Sequence, residues 1–559
     1  MNFRLGLSQL TTCVLVLVIA ACSSTDSEDS ANQQVLMDRA SVEEVVVTSA
    51  RRKHAEQAAY VVSQSPPPVI LPESQQEKYQ DLEPRQVRLV REDPVSTFAL
   101  DVDTGGYSNV RRFLNNGQLP PKDAVRLEEL INYFNYDFAG AESKPTPASD
   151  DDFAVHFDLS RAPWDAQRTL FSIGVKARAL PMDEVPPVNL VFLIDSSGSM
   201  SQANKLPLLQ QAYRLLAKQL RAEDSVSIVT YAGSAGLVLE PTSGDQKSKI
   251  LQAIDRLQAG GSTNGAGGIE LAYAVAQQAF KKDGVNRILL ATDGDFNVGI
   301  SDVDTLKQRI ERGRKSGVQF SALGFGMGNY REDMVEQLTN VGDGSYAYID
   351  TIFEANRVLV EQLAGTLFTV AKDAKVQVEF NPARVAEYRL LGYENRRLNR
   401  EDFNNDARDS GDIGAGHSVV ALYELTLVGD APRVDPLRYA HDSQPAAADT
   451  RNDELATVKV RYKKPGEQDS TLKQWHLAPR IKPIQDAQQD LQFATAVAGF
   501  GLLLRSEPLS EFDYEDVAAL AQLARGKDTS GDRAEFVRLV KTAGALASSQ
   551  ATPLTVQPD

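Results

Sequence analysis

The segment Asp195-Ser196-Ser197-Gly198-Ser199 carries one carboxylate and two hydroxyls, at Asp195, Ser197 and Ser199, in a D-x-S-x-S spacing that a single tight loop can gather around one ion. All three are hard oxygen donors suited to Mg²⁺ or Mn²⁺, whereas a softer metal would want Cys or His. Two further segments offer the same chemistry. Gly260-Gly261-Ser262-Thr263-Asn264-Gly265 combines a hydroxyl at Thr263 with glycines that let the backbone approach an ion, and Asp293-Gly294-Asp295 supplies a second carboxylate at Asp293. Two carboxylates and three neutral hydroxyls do not overcharge such a site, and Mg²⁺, which usually keeps waters, would retain an open position there. Helix capping after a strand also uses Asp and Ser, but it accounts for one of these loops and not for three.

The elements that must position these residues are legible on either side. Residues 189–194 and 287–292 are apolar runs that end at Asp195 and Asp293, and they read as buried parallel strands, whose carboxyl ends are where open α/β sheets place ligand sites. Helical patterns at 206–220, 269–280 and 303–312 alternate with strands at 226–231 and 318–325, and a last helix is expected over 352–367. The expected fold class is α/β, a doubly wound, mostly parallel, Rossmann-like sheet with helices on both faces. The three loops resemble the metal-ion-dependent adhesion site of the von Willebrand factor type A (VWA) domain, here over residues 188–367. That resemblance implies that Asp195, Ser197, Ser199, Thr263 and Asp293 hold Mg²⁺ (or Mn²⁺), and that the ion captures an Asp or Glu carboxylate of a protein ligand.

Alternating strands flank this unit, at 153–159 and 170–176 before it and at 376–380, 418–428 and 456–462 after it. They predict one β-sandwich into which the α/β unit is inserted. Helices at 493–504, 517–523 and 536–546 predict a C-terminal bundle, and the Asp- and Gly-rich stretch 404–417, which lacks EF-hand spacing, reads as a turn-rich loop. Asp101-Val102-Asp103 after a strand resembles the start of haloacid dehalogenase-type phosphate-transfer enzymes. However, Gly105 stands where that family has Thr or Val, and no convincing downstream Lys and acidic pair follows. Residues 96–114 and 127–134 instead resemble the N-terminal region of YfbK-type bacterial lipoproteins, and 404–417 resembles the C-terminal region of that family. The expected organisation is a lipoprotein signal at 1–22, a disordered tether at 23–84, a VWA-associated N-terminal region at 85–187, the VWA domain at 188–367 and a YfbK-type C-terminal region at 368–559.

The net charge of −17 over 559 residues argues against nucleic acid and against simple electrostatic docking to anionic lipid. The two cysteines, Cys13 and Cys22, both lie at the N-terminus, so the mature chain has neither a disulfide framework nor a cysteine-zinc site. Arg4, the apolar run 13–19 and Ala20-Ala21 form a secretion signal. Ile19-Ala20-Ala21-Cys22 resembles a bacterial lipobox, which implies lipidation of Cys22 and, since Ser23-Ser24 carry no Asp retention signal, an outer-membrane anchor facing either side. Within the tether, Val45, Val46 and Val47 read as part of a solvated, β-prone stretch of tail; the alternative is a partner strand, since the segment resembles the strand-adding segments of TonB-dependent receptors. The five histidines are scattered and no general base lies near Ser197 and Ser199 in sequence, so the chain is not expected to be an enzyme. The competing readings are a metal-dependent phosphoryl or ester transferase and a metal-independent interaction protein.

Overall fold

The computed structural model describes residues 77, 79, 86–100, 103–138, 152–181, 184–261, 265–294, 303–327, 332–406, 408, 410–435 and 453–551. Cys22, Val45, Val46, Val47 and Thr263 lie outside the described residues, as do Asp101 and Asp295.

Strands β1 (Arg88–Leu89) and β2 (Val95–Ala99) lead into helices α1 (Gly105–Asn115) and α2 (Leu127–Asn132), followed by the hairpin β3 (Phe153–Ala162) and β4 (Asp165–Ala177). The inserted unit runs β5 (Val188–Asp195), α3 (Leu206–Gln219), β6 (Ser225–Tyr231), β7 (Ala235–Ser243), α4 (Lys247–Asp255), α5 (Gly265–Gln278), β8 (Val285–Thr292), α6 (Val303–Arg314), β9 (Gln319–Phe325), α7 (Glu332–Val341), β10 (Tyr346–Ile349), α8 (Ile352–Asn356) and α9 (Leu363–Leu367). The chain then returns through β11 (Thr369–Phe380), β12 (Val385–Leu391), β13 (Gly411–Gly414), β14 (Ser418–Leu427), β15 (Ala456–Lys463) and β16 (Thr471–Leu477). It ends in α10 (Gln489–Leu504), α11 (Tyr514–Leu523) and α12 (Asp532–Ala551).

The central sheet has six strands in the order β10-β9-β8-β5-β6-β7, all parallel except the edge strand β7. Strand β5 is apolar from Leu190 to Ile194 because both of its faces are covered. Leu190, Phe192 and Ile194 enter a core with Leu209, Tyr213 and Leu216 of α3, while Val191 and Leu193 enter a separate core with Ile269, Val275 and Leu338 from α5 and α7. The strand order reverses direction between β5 and β8. Their carboxyl ends therefore form the topological switch point of the sheet, and Asp195 and Asp293 sit there.

Strands β3 and β4 share one core with β11, β12, β14 and β15: Phe171, Val175 and Tyr423 from one sheet meet Val376, Val378 and Val458 from the other. The α/β unit leaves this sandwich after β4 and rejoins it at β11, as the alternation of the flanking strands predicts. Val420 and Leu422 point from the opposite face of β14 into a third layer built by α2, α10 and the last two helices.

Three expectations need correction. The last helix of the α/β unit is not continuous, because a π-helical turn at Arg357–Glu361 separates α8 from α9. The stretch 404–417 is not only turns, since Gly411–Gly414 pairs with β11 as β13. The sheet also contains β7 and β10, which the sequence pattern did not reveal. Among the described residues no helix is long and apolar enough to cross a membrane.

Candidate metal centre

Asp195 is the last residue of β5 and pairs in register with Tyr231 of β6, so its carboxylate leaves the sheet edge-on at the switch point. The chain then turns at once. The Ser197 amide donates to Asp195 Oδ1 at 2.8 Å, the Ser196 amide donates to the Tyr231 carbonyl at 3.0 Å, and the buried Met200 anchors the following 3₁₀ turn in the core. The Ser197 and Ser199 hydroxyls, thus aligned, lie 2.9 Å apart. The second loop docks on the first: the Gly198 amide donates to the Gly261 carbonyl at 3.1 Å, and the Gly260 amide donates to the Ser196 carbonyl at 2.7 Å. Gly261 has φ +86°, a conformation that glycine adopts freely. Asp293 follows β8 directly and is buried.

Asp195, Ser197, Ser199 and Asp293 are therefore brought together, and the Gly260-Gly261 loop that leads to Thr263 touches them. Asp195 Oδ2 is buried and lacks a donor at ordinary hydrogen-bond geometry, although the Tyr231 hydroxyl lies beside the carboxylate. Burial pushes the Asp195 carboxyl up to about 7, the Asp293 carboxylate adds to the rise, and the Ser197 amide and hydroxyl oppose it. A buried carboxylate oxygen in want of a cation, next to two hydroxyls and a second carboxylate, fits a hard divalent ion. When bound, such an ion would supply Lewis acidity toward an anionic oxygen. Among the described residues no group of three or more Asp, Glu, His or Cys is placed to hold a metal ion, so the donor set relies on hydroxyls, as the D-x-S-x-S spacing suggests.

One residue of this centre escaped the sequence reading. Lys205, immediately before α3, donates from Nζ to Asp293 Oδ2 at 2.9 Å, with side chains 5% and 1% exposed. Its stem passes over Gly326, where φ is +80° and a Cβ would fall 2.3 Å from Lys205 Cε. A lysine at a helix N-terminus opposes the macrodipole. That local inconsistency was the available signal that Lys205 answers to a charge elsewhere. The D-x-D carboxylate Asp103, by contrast, is tied into the frame: it accepts from the Tyr346 amide at 3.0 Å and from Arg396 at 3.1 Å.

The family model described as "Uncharacterized protein YfbK, C-terminal" matches residues 365–546, a von Willebrand factor type A domain model matches 190–295, and a von Willebrand factor model matches 73–172. YfbK of Escherichia coli (strain K12) is 48% identical over 471 residues, which cover 84% of this chain and 81% of that protein. The magnesium-chelatase 60 kDa subunit of Rhodobacter capsulatus is 32% identical over 145 residues, 25% of each protein. Among solved structures, a von Willebrand factor type A protein from Catenulispora acidiphila aligns over 70% of this chain and 89% of its own, with 14% identity and a TM-score of 0.40. VWA domains serve protein interaction or adhesion and often bind a divalent metal, and this one sits inside a sandwich with helices behind it. The chain belongs to the YfbK family of VWA-domain proteins.

Proposed function

We propose that this protein is a lipid-anchored component of the cell envelope that binds a protein partner through a divalent cation held by Asp195, Ser197, Ser199, Thr263 and Asp293. The observation that carries the reading is the buried, donor-poor Oδ2 of Asp195 beside the Ser197 and Ser199 hydroxyls at the switch point. Mg²⁺ there would keep an open position for an Asp or Glu carboxylate of the partner. The lipidated Cys22 would hold the chain at the outer membrane, leaving the binding end free to meet other envelope proteins.

The test is affinity capture from envelope extract with the chain from Ser23, comparing Mg²⁺ with EDTA and wild type with Asp195→Ala. A partner retained only by the metal-loaded wild type supports the reading. Identical capture in all conditions refutes it and favours a second reading, binding that needs no metal. The Lys205–Asp293 ion pair is the observation behind that alternative, because it balances part of the site's charge without a divalent ion.

A further inference from the structure

Where the α/β unit joins the sandwich, the chain crosses outward at Ala179–Leu180 and back through α9 into β11. A cavity of about 620 Å³ lies at this joint, within the range of roughly 300–1,000 Å³ usual for small-molecule sites. Three polar groups that line it lack partners their chemistry wants. Arg287 of β8 is 2% exposed, and its guanidinium donates to neutral acceptors, Ser321 Oγ at 2.6 Å and Gln319 Oε1 at 2.7 Å, while Nε has no acceptor. Asp412 of β13 accepts the Asp373 amide at 3.2 Å through Oδ1, and its Oδ2 is buried without a donor. Both ring nitrogens of His417 are buried without partners, and burial pushes the imidazole down to about 4, so it is neutral.

Arg287 senses the Asp412 and Asp343 carboxylates, and Asp412 senses the Lys372 ammonium, yet Arg287 and Asp412 form no ion pair with each other. Direct contact would have been the cheapest solution for two buried opposite charges. A guanidinium and a carboxylate that line one cavity without pairing with each other instead match a molecule with an anionic end and a cationic end. The Arg287 Nε–H can donate to a carboxylate, and Asp412 Oδ2 can accept from an ammonium group. We infer that this cavity is a binding site for a free amino acid or short peptide, with the ligand's α-carboxylate on Arg287 and its α-ammonium on Asp412. The site is separate from the metal centre, so it is indifferent to EDTA and to Asp195→Ala.

The test uses the chain from Ser23, by thermal unfolding and titration calorimetry, with a panel of amino acids and dipeptides at millimolar concentration. The best binder is then compared with its N-acetylated and C-amidated forms. The expected result is a rise in the unfolding midpoint with free-ended ligands, about tenfold or more weaker binding when either end is blocked, and loss of binding in Arg287→Gln. Asp412→Asn, which keeps the side chain's size, should erase the preference for a free amine. Tighter binding by single amino acids than by dipeptides, or the reverse, supports the inference and names the ligand's length. No response to any panel member, equal binding of free and blocked forms, or an unchanged amine preference in Asp412→Asn overturns it.

Discussion

Replacing Lys205 by methionine tests whether the metal centre holds a tethered cation in reserve. Lys205 Nζ lies 2.9 Å from Asp293 Oδ2, with side chains 5% and 1% exposed, so this pair is shielded from solvent. Removing one partner of a buried pair typically costs about 3–5 kcal/mol, because the remaining charge stays desolvated. Met has nearly the length and volume of Lys, so packing over Gly326 changes little and the cost is chiefly electrostatic. A divalent ion at Asp195, Ser197 and Ser199 would lie beside the same Asp293 carboxylate and would recover part of that cost. In the wild type it must share the carboxylate with the ammonium or displace it. Recovery of about 1.4–2.8 kcal/mol corresponds to metal binding about ten- to a hundredfold tighter in Lys205→Met than in wild type. Titration with Mn²⁺ followed by electron paramagnetic resonance, and with Mg²⁺ by calorimetry, measures this directly. Thermal unfolding should show the variant less stable than wild type in EDTA, with the gap narrowed by saturating Mg²⁺. Metal binding that is unchanged or weaker in the variant would refute the reasoning.

Gly326→Ala should act in the same direction, because its Cβ would strike Lys205 and its φ is +80°; a loss of about 1–3 kcal/mol in chemical unfolding, with tighter Mn²⁺ binding, is expected. Arg111 of α1 donates to Asp350 at 2.8 Å and 2.5 Å, to Glu354 at 2.7 Å and to Glu535 at 3.0 Å, so Arg111→Met should destabilise the fold by about 3–5 kcal/mol in urea titration. Burial, with the Glu394 and Glu129 carboxylates nearby, pushes the Glu128 carboxyl up to about 7 from 4.5. Its pKa is higher folded than unfolded, so its stabilising contribution is complete below pH 4.5 and is lost as pH rises through about 7. Glu128→Gln should therefore gain up to about 3 kcal/mol over wild type at pH 8, and that gain should fade toward pH 5. Unfolding curves whose difference does not vary with pH would contradict that assignment.

Sequence revealed most where both faces of an element are buried or one face alternates. Strands β5 and β8 stood out because their apolar runs, Leu190–Ile194 and Ile288–Ala291, are buried on both faces, and the sandwich strands because burial on one face imposes a period of two. Strand β7 did not stand out: it is an edge strand with Leu237 and Val238 exposed, and Pro241 and flanking glycines blur its pattern. Strand β10 has only four residues, and its pairing with β9 rather than its own composition defines it. Likewise Gly411-Asp412-Ile413-Gly414 has turn composition and becomes β13 because β11 supplies its hydrogen bonds. At the site, the D-x-S-x-S loop was readable because its ligands are local. Lys205 was not, because its carboxylate comes from β8 and its clearance comes from Gly326, and only the folded sheet brings the three together.

The two ends of the inserted unit treat buried charge in opposite ways, which bears on what each end can do. Beyond the carboxyl end of β10, Arg111 meets Asp350 and Glu354, and Arg357 donates to Glu354 at 2.6 Å, so each charge there has opposite charge in contact. The two arginines hold the Glu354 carboxyl down at about 2 despite its burial. Such a network has little to gain from a ligand and much to lose from movement, so it clamps the α/β unit to α1 and α12. At the opposite joint, the buried Arg287 and the half-buried Asp412, whose Oδ2 is shielded, form no ion pair with each other, and a molecule that satisfied both would stabilise the folded chain. The candidate metal centre lies between these extremes, since Asp293 has its ammonium while Asp195 keeps an oxygen without a donor at ordinary geometry. Partner capture at the metal end would thus act on a rigidly held unit, and any response to a second ligand would arise at the joint where the charges are still unmatched.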